Sequence, residues 1–195
     1  MKLEMLAAWA AEGSQKSAIL RVMRQPLSGS QILSRAQKYN SRITYRDLWA
    51  VLQAATKKGV VECLTPDIKN GKIYFPTSIG RRVLQTAFSN SIYSPPEIDW
   101  NAYAYLCAGK ARWWVFLHLE DRDGHPRRAT DIKKALREVH GVTLNQTSRA
   151  LLELELCGLI KIAGVSKKRA SRLFGYTIQG KSIRNTMRIY ESQLY

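Results

Sequence analysis

Acidic residues are scarce in this chain, cysteines are few and no apolar run is long, and each shortage narrows what the protein can be. Fifteen Asp and Glu stand against thirty-one Lys and Arg, a formal net charge of +16 over 195 residues. The excess lies on both halves, with 14 basic against 7 acidic residues up to position 100 and 17 against 8 beyond it. A surplus spread along the chain, rather than gathered in a tail, points to folded units that each face a polyanion. A soluble protein that is merely basic is the plain alternative. Cys63, Cys107 and Cys157 are widely spaced and odd in number, which argues against a disulfide framework and for buried thiols in a reducing, cytoplasmic compartment. Neither CxxC nor HxxxH occurs, so no zinc site is expected. No stretch approaches the roughly 20 apolar residues that span a bilayer. None pairs a basic face with a strongly lipophilic one, so no membrane partner is expected. The start, MKLEMLAAWAAEG, faintly imitates a signal peptide at Ala8-Trp9-Ala10, but Glu4 and the short apolar run favour a first helix.

Catalytic machinery is missing as well. There is no phosphate-cradling GxxxxGK[ST] loop and no serine nucleophile elbow. His118, His125 and His140 are scattered. His118 falls in an apolar helix, where a core imidazole is commoner than a ligand, and His125 in the turn-like DRDGHPRR. Asp121 and Asp123 lack the acidic neighbours that bind magnesium. The expectation is a non-enzyme with no cofactor and no metal.

What is present is a duplication. ITYRDLWAVLQAATKKGVV (43–61) and VTLNQTSRALLELELCGLI (142–160) each open on a β-branched residue and Thr and close on Gly and two aliphatics. Ile43 and Val142 are 99 positions apart, and so are Gly59 and Gly158. Downstream, YFPTSIGRRVL (74–84) and FGYTIQGKSI (174–183) share T-x-x-G followed by a basic residue, with Thr77/Thr177 and Gly80/Gly180 now 100 apart. Upstream, Ser30-Gln31-Ile32 echoes Thr130-Asp131-Ile132, and EGSQKSAIL (12–20) echoes AGKARWWVF (108–116). Small shifts of offset between motifs place the indels in loops, as drift after a duplication would. Apolar residues at 45% and the lack of low-complexity segments make both copies globular, and each is long enough for a modest core.

Both copies read in the same order. An apolar helix (about 15–25 and 110–120) precedes a second that starts at a Ser/Thr cap (about 30–40 and 130–139). A third runs over 44–58 and 143–157, where Thr44-x-x-Asp47 and Thr143-x-x-Gln146 have capping-box spacing. Its buried stripe is Leu48, Val51, Leu52 and Ala55, matched by Thr147, Ala150, Leu151 and Leu154. Gly59 and Gly158 stand where a left-handed cap ends the helix. A short β-prone run, a polar turn and a returning run then predict a two-stranded ribbon, and a last helix starts near Thr77 or Thr177. In the first copy Asn70-Gly71 is the expected turn of that ribbon. The Pro/Ser-rich SNSIYSPPEID (89–99) reads as a linker, with an extra helix over 100–108 matching 1–11. The expected domains are 1–90 and 100–195 with a linker at 91–99.

The helix ending in KKGVV or LCGLI, the hairpin and the T-x-x-G-[RK] start of the last helix resemble winged-helix transcription regulators of the MarR/ArsR/PadR type, in two copies that cover nearly the whole chain. The resemblance implies a mainly α fold with small β-hairpin wings, arranged as two tandem winged helix-turn-helix domains. It also implies double-stranded DNA as the partner, with the third helix in the major groove and the wing on phosphates.

Onto the second copy it carries Asn145, Gln146, Ser148 and Arg149 as base contacts; amides and guanidinium can pair two-pronged with adenine or guanine edges, although any such helix shows a solvated polar face. Lys167, Lys168, Arg169 and Arg172 are the wing's phosphate contacts, unless the loop is simply solvated. Arg127, Arg128, Lys133, Lys134 and Arg137 flank the second helix, where the family meets the backbone. Onto the first copy it carries Arg46, Trp49 and Gln53 as base contacts, and Arg35, Lys38, Arg42, Lys69 and Lys72 as weaker phosphate contacts. Trp49 departs from the pattern: it either stacks on sugar or a thymine methyl or buries against the other copy or a partner. Trp113 and Trp114 belong to a run too continuous for one buried helical face, open to packing on the linker helix or the other copy, or to serving as a platform for single strands. Met187, Ile189, Tyr190 and Leu194 mark a terminal helix that docks on its own domain or forms a dimer seam. A homodimer through terminal helices or exposed aromatics therefore stays open.

Function follows as sequence-preferring duplex binding, with transcription regulation at the nucleoid as the natural role. Because the two outer faces differ, an asymmetric or degenerate site is expected. A protein-interaction scaffold and a plasmid-type replication initiator are the alternatives.

Overall fold

Thr44 and Thr143 each stand just before a 13-residue helix, and each closes a capping box. In the computed structural model, which describes residues 2–89, 92, 94–121, 123–166 and 171–192 (residues 166 and 189–192 by backbone alone), both hydroxyls accept an amide from the third helical residue. The side chains of Asp47 and Gln146 return the bond to the Thr44 and Thr143 amides, both at 2.9 Å. Two orphan donors are satisfied at each helix start, which is why both begin where the spacing predicts.

The chain divides into two units, Met1–Pro96 and Glu97–Tyr195. The first runs α1 (Leu3–Ala11), α2 (Ser14–Arg21), β1 (Leu27–Ser28), α3 (Gly29–Ala36), α4 (Tyr45–Lys57), β2 (Val61–Cys63), β3 (Ile73–Pro76) and α5 (Ser78–Phe88). The second repeats the order: α6 (Trp100–Cys107), α7 (Lys110–Leu117), β4 (Arg127–Arg128), α8 (Ala129–His140), α9 (Leu144–Leu156), β5 (Ile160–Ser166), β6 (Ser171–Tyr176) and α10 (Ile178–Ser192). Helices dominate, and each unit carries one small antiparallel sheet of three strands, in the orders β1-β3-β2 and β4-β6-β5. The stretch read as a linker is shared out: Ile92 packs on the core of the first unit, while Asp99 caps α6 and accepts a bond from Gln179 at 2.7 Å.

Four expectations need correction. The ribbons are not two-stranded, because β1 and β4 pair with the returning strand in each unit. At two residues each, these strands are too short to show the alternation by which a strand is read. The cap of the second helix in unit 1 is Ser28, boxed with Gln31, and in unit 2 it is Arg128, with no side-chain cap bond. The first helices end earlier than expected, at Arg21 and Leu117. Asn70-Gly71 is not a two-residue hairpin turn but part of the loop 64–72, pinned by buried Thr65, whose hydroxyl accepts the Ile73 amide at 2.9 Å.

Cores form where the stripes predict. Leu48, Leu52 and Ala55 of α4 pack with Ile19, Leu20, Met23, Ile32 and Val60 in one cluster. In unit 2, Thr147, Ala150, Leu151 and Leu154 of α9 are buried, and the Thr147 hydroxyl donates to the Thr143 carbonyl at 3.0 Å. That bond offsets the cost of burying a hydroxyl. Both helices end in the same two-bond cap. Val60 donates to Ala55 and Gly59 to Thr56; Leu159 donates to Leu154 and Gly158 to Glu155. The glycines take the left-handed φ values of 68° and 70° that this cap requires.

The T-x-x-G motif also has a structural cause. Thr77 accepts the Gly80 amide at 2.9 Å and donates to the Gly59 carbonyl at 2.6 Å. Thr177 does the same with Gly180 at 3.0 Å and Gly158 at 2.7 Å. The motif ties the last helix to the end of the outer one.

The continuous apolar run in α7 is absorbed inside its own unit. Val115 and Phe116 are buried, Trp113 meets Tyr103 of α6 edge-on, and Trp114 stacks on His140 at 3.6 Å. Both rings are half-buried and already engaged by partners of their own unit. At the end of the chain Ile183, Thr186 and Met187 are buried on their own unit, whereas the Ile189 and Tyr190 side chains and Leu194 lie outside the described residues.

Candidate nucleic-acid interface

Burying one stripe of α9 leaves Leu144, Asn145, Gln146, Ser148, Arg149 and Leu152 outward. The four candidate base contacts of the second copy thus lie together on the exposed first half of the helix. They are not equally available. Gln146 has one lone pair of its carbonyl oxygen committed to the Thr143 amide, which fixes the side chain and leaves its NH2 group as the freer end. Arg149 is 82% exposed, yet its Nε donates to Glu153 Oε1 at 2.7 Å. Glu153 Oε2 accepts from Arg112 Nη1 at 3.0 Å. Hydrogen bonds from Arg149 first and Arg112 second hold the Glu153 carboxyl below its ordinary range.

Lys133, Lys134 and Arg137 line a groove of about 620 Å³ with Thr130, Glu138 and Leu144, between α8 and the start of α9. Arg127 and Arg128, expected beside them, are half-buried in strand β4 and pair with Phe174 and Leu173. Arg128 Nε also lies 3.6 Å from Asp131. The Arg128 side chain is thus partly committed to its own unit, while the pairing of Arg127 is through its backbone. In the hairpin expected to be a wing, β5 and β6 are seven and six residues long and Arg172 is exposed. Lys167, Lys168 and Arg169 lie outside the described residues.

The first unit offers a different face. Arg46 and Gln53 are exposed on α4, but Asp47 is spent on the cap, and its bonds from Thr44 lower its pKa. Trp49, 40% exposed, meets Tyr74 edge-on at 5.9 Å and lies against Gly29. The indole is therefore seated on its own unit, an arrangement neither alternative read from the sequence had included. Arg35 and Lys72 are half-buried, while Lys38, Arg42 and Lys69 are exposed. The corresponding strands β2 and β3 have only three and four residues. Beside Arg42 a groove of about 480 Å³ is lined by Ser14, Ser17, Arg21, Tyr39 and Asn40.

Away from this face, Asp121, Asp123 and His125 bring ligand atoms within 4.8 Å of one another on an exposed loop. Among the described residues no further carboxylate joins the two aspartates in this group. Asp121 already accepts the Asp123 and His125 amides at 3.0 and 2.8 Å, and these bonds lower its pKa. The triad shapes a turn.

Sequence reading missed the Arg149–Glu153–Arg112 chain. Its first link was legible, since Arg and Glu four apart share a helix face. Its second spans 41 positions and left no local signal. Among the described residues no helix is long and apolar enough to cross a membrane. Compared with models of known protein families and with curated proteins, the sequence finds no match in either.

Proposed function

We propose that this chain is a sequence-preferring double-stranded DNA-binding protein made of two tandem winged helix-turn-helix units, a non-enzyme that regulates transcription at the nucleoid. The observation that carries the reading is the outer face of α9. Asn145, Ser148 and Arg149 project there beside a groove lined by Lys133, Lys134 and Arg137. Amide and guanidinium groups match base edges in a major groove, and the cations match the flanking phosphates. The +16 net charge supports long-range attraction to such a partner. Unit 2, with the longer wing and the fuller set of cations, is the sequence reader. Unit 1, with Trp49 seated and a short wing, adds affinity with less selectivity. The target is then an asymmetric site.

Selection of bound fragments from a random duplex library tests this directly. Enrichment of a motif, with affinity falling steeply between low and moderate salt, is the expected result. Enrichment of duplex RNA over DNA in competition would argue against it, because the deep, narrow RNA groove excludes a helix.

A second reading is favoured by one specific feature. Leu152 and Leu156, 57% and 79% exposed, continue the α9 face toward its C-terminal end. Large exposed leucines suit a protein partner, so the chain would be an interaction scaffold. Duplex affinity that hardly responds to salt selects that reading.

A further inference from the structure

Arg149 gives Glu153 only one of its nitrogens. Nε donates to Oε1 at 2.7 Å, and the two terminal nitrogens hold no partner among the described residues. Those terminal nitrogens are the pair that can reach guanine O6 and N7 together. Glu153 itself is not free to swing, because its second oxygen is held by Arg112 at 3.0 Å and its side chain is only 24% exposed.

Arg112 is fixed in turn. Its Nε donates to the Tyr105 carbonyl at 3.0 Å, and its guanidinium lies over the Tyr105 ring at 3.9 Å. A Cβ at position 109 would come within 2.7 Å of that guanidinium, so glycine there makes room for it. The result is a chain of contacts running from α6 and α7 through Glu153 to an exposed fork on α9. The first unit has none of it: Ala50 and Ala54 stand 99 positions before Arg149 and Glu153, and Lys16 stands 96 before Arg112.

We infer that Glu153 is a specificity-determining positioning residue, buttressed by Arg112, which holds the Arg149 guanidinium in one orientation for two-pronged recognition of a single guanine. The inference rests on the DNA-binding reading above. A long arginine loses much rotamer freedom on binding, and a fork oriented beforehand loses less. A fixed fork also rejects a wrong base, because it cannot turn to another acceptor. A carboxylate at the interface repels phosphates, so its place here serves selectivity and not bulk affinity.

The full chain is titrated against the duplex it selects, against the same duplex with the guanine that Arg149→Ala ceases to discriminate replaced, and against an unrelated duplex of equal length. Glu153→Ala weakens binding to the selected duplex and leaves the unrelated duplex bound equally or more tightly. Selectivity at that one base pair drops about tenfold, the range of one bidentate contact. Arg112→Ala moves it in the same direction. Glu153→Gln keeps an acceptor for Nε and costs less selectivity than alanine; it carries the test if the alanine variant fails to fold. Glu153→Ala placed on Arg149→Ala produces no further loss, since the two act through one contact. Unchanged selectivity in Glu153→Ala and Glu153→Gln, or equal shifts on all three duplexes, overturns the inference and leaves duplex binding standing. A wild-type chain that binds no duplex overturns both.

Discussion

Gly80 crosses so close to Val60 that a Cβ at position 80 would lie 1.8 Å from the Val60 carbonyl oxygen; Gly180 and Leu159 repeat the crossing at 2.0 Å. No side chain fits there without moving backbone. Gly80→Ala and Gly180→Ala are therefore expected to destabilise their own units by about 1–3 kcal/mol or more, as overpacking does. Amide hydrogen exchange on each variant checks the assignment. Protection falls around α5 in the first and α10 in the second, and equal loss in both units would count against it.

Removing a cap tests the outer helix. Thr143→Ala leaves the Gln146 amide without its acceptor and is expected to cost about 1 kcal/mol. Denaturant midpoints read the change, and Thr143→Ser, which restores the oxygen, recovers most of it.

His140 carries a pH dependence. Burial first, then the nearby His118 and Lys110 charges, push its pKa below the ordinary imidazole value of 6.5. The folded state therefore binds the proton less readily than the unfolded chain. Stability is full above about 6.5, declines as pH falls below it, and levels off once the folded imidazole is also protonated. Because His140 stacks on Trp114, tryptophan fluorescence of the native protein reports the protonation directly. His140→Gln flattens the stability profile in that window; an unchanged slope would assign the dependence elsewhere.

Two variants separate base reading from phosphate binding. Arg149→Ala is expected to weaken the selected duplex by about 1–3 kcal/mol with little change in salt dependence beyond the single charge. Lys134→Ala with Arg137→Ala weakens all duplexes alike and lowers the salt slope by about one per lost phosphate contact. Equal effects from the two would merge the roles assigned to them.

Much of the fold was legible because it rests on local rules repeated twice. Capping boxes at Thr44 and Thr143, the left-handed Gly59 and Gly158, and stripes at helical spacing need only near neighbours to work. The T-x-x-G repeat was visible, but its reason was not, since it depends on a carbonyl about twenty residues upstream. Strands β1 and β4 were missed because two residues cannot display a period. The seat of Trp49 was not legible because its ring contact, Tyr74, arrives from the far side of the loop 64–72.

The sequence by itself determined where the two outer helices start and stop, which face of each is apolar, and that one plan occurs twice under a strongly basic charge. The helix limits and faces are written in residue type and short spacing, and the duplication in motifs that return after 99 or 100 positions. Only the tertiary structure decided how distant groups hold one another: Arg127 and Arg128 are half-buried where β4 joins β6, and Glu153, bonded to Arg149, is tied to Arg112 from 41 positions away. A hydrogen-bonding group has few partners to give, and who takes them first is settled by residues that folding brings together from distant parts of the chain.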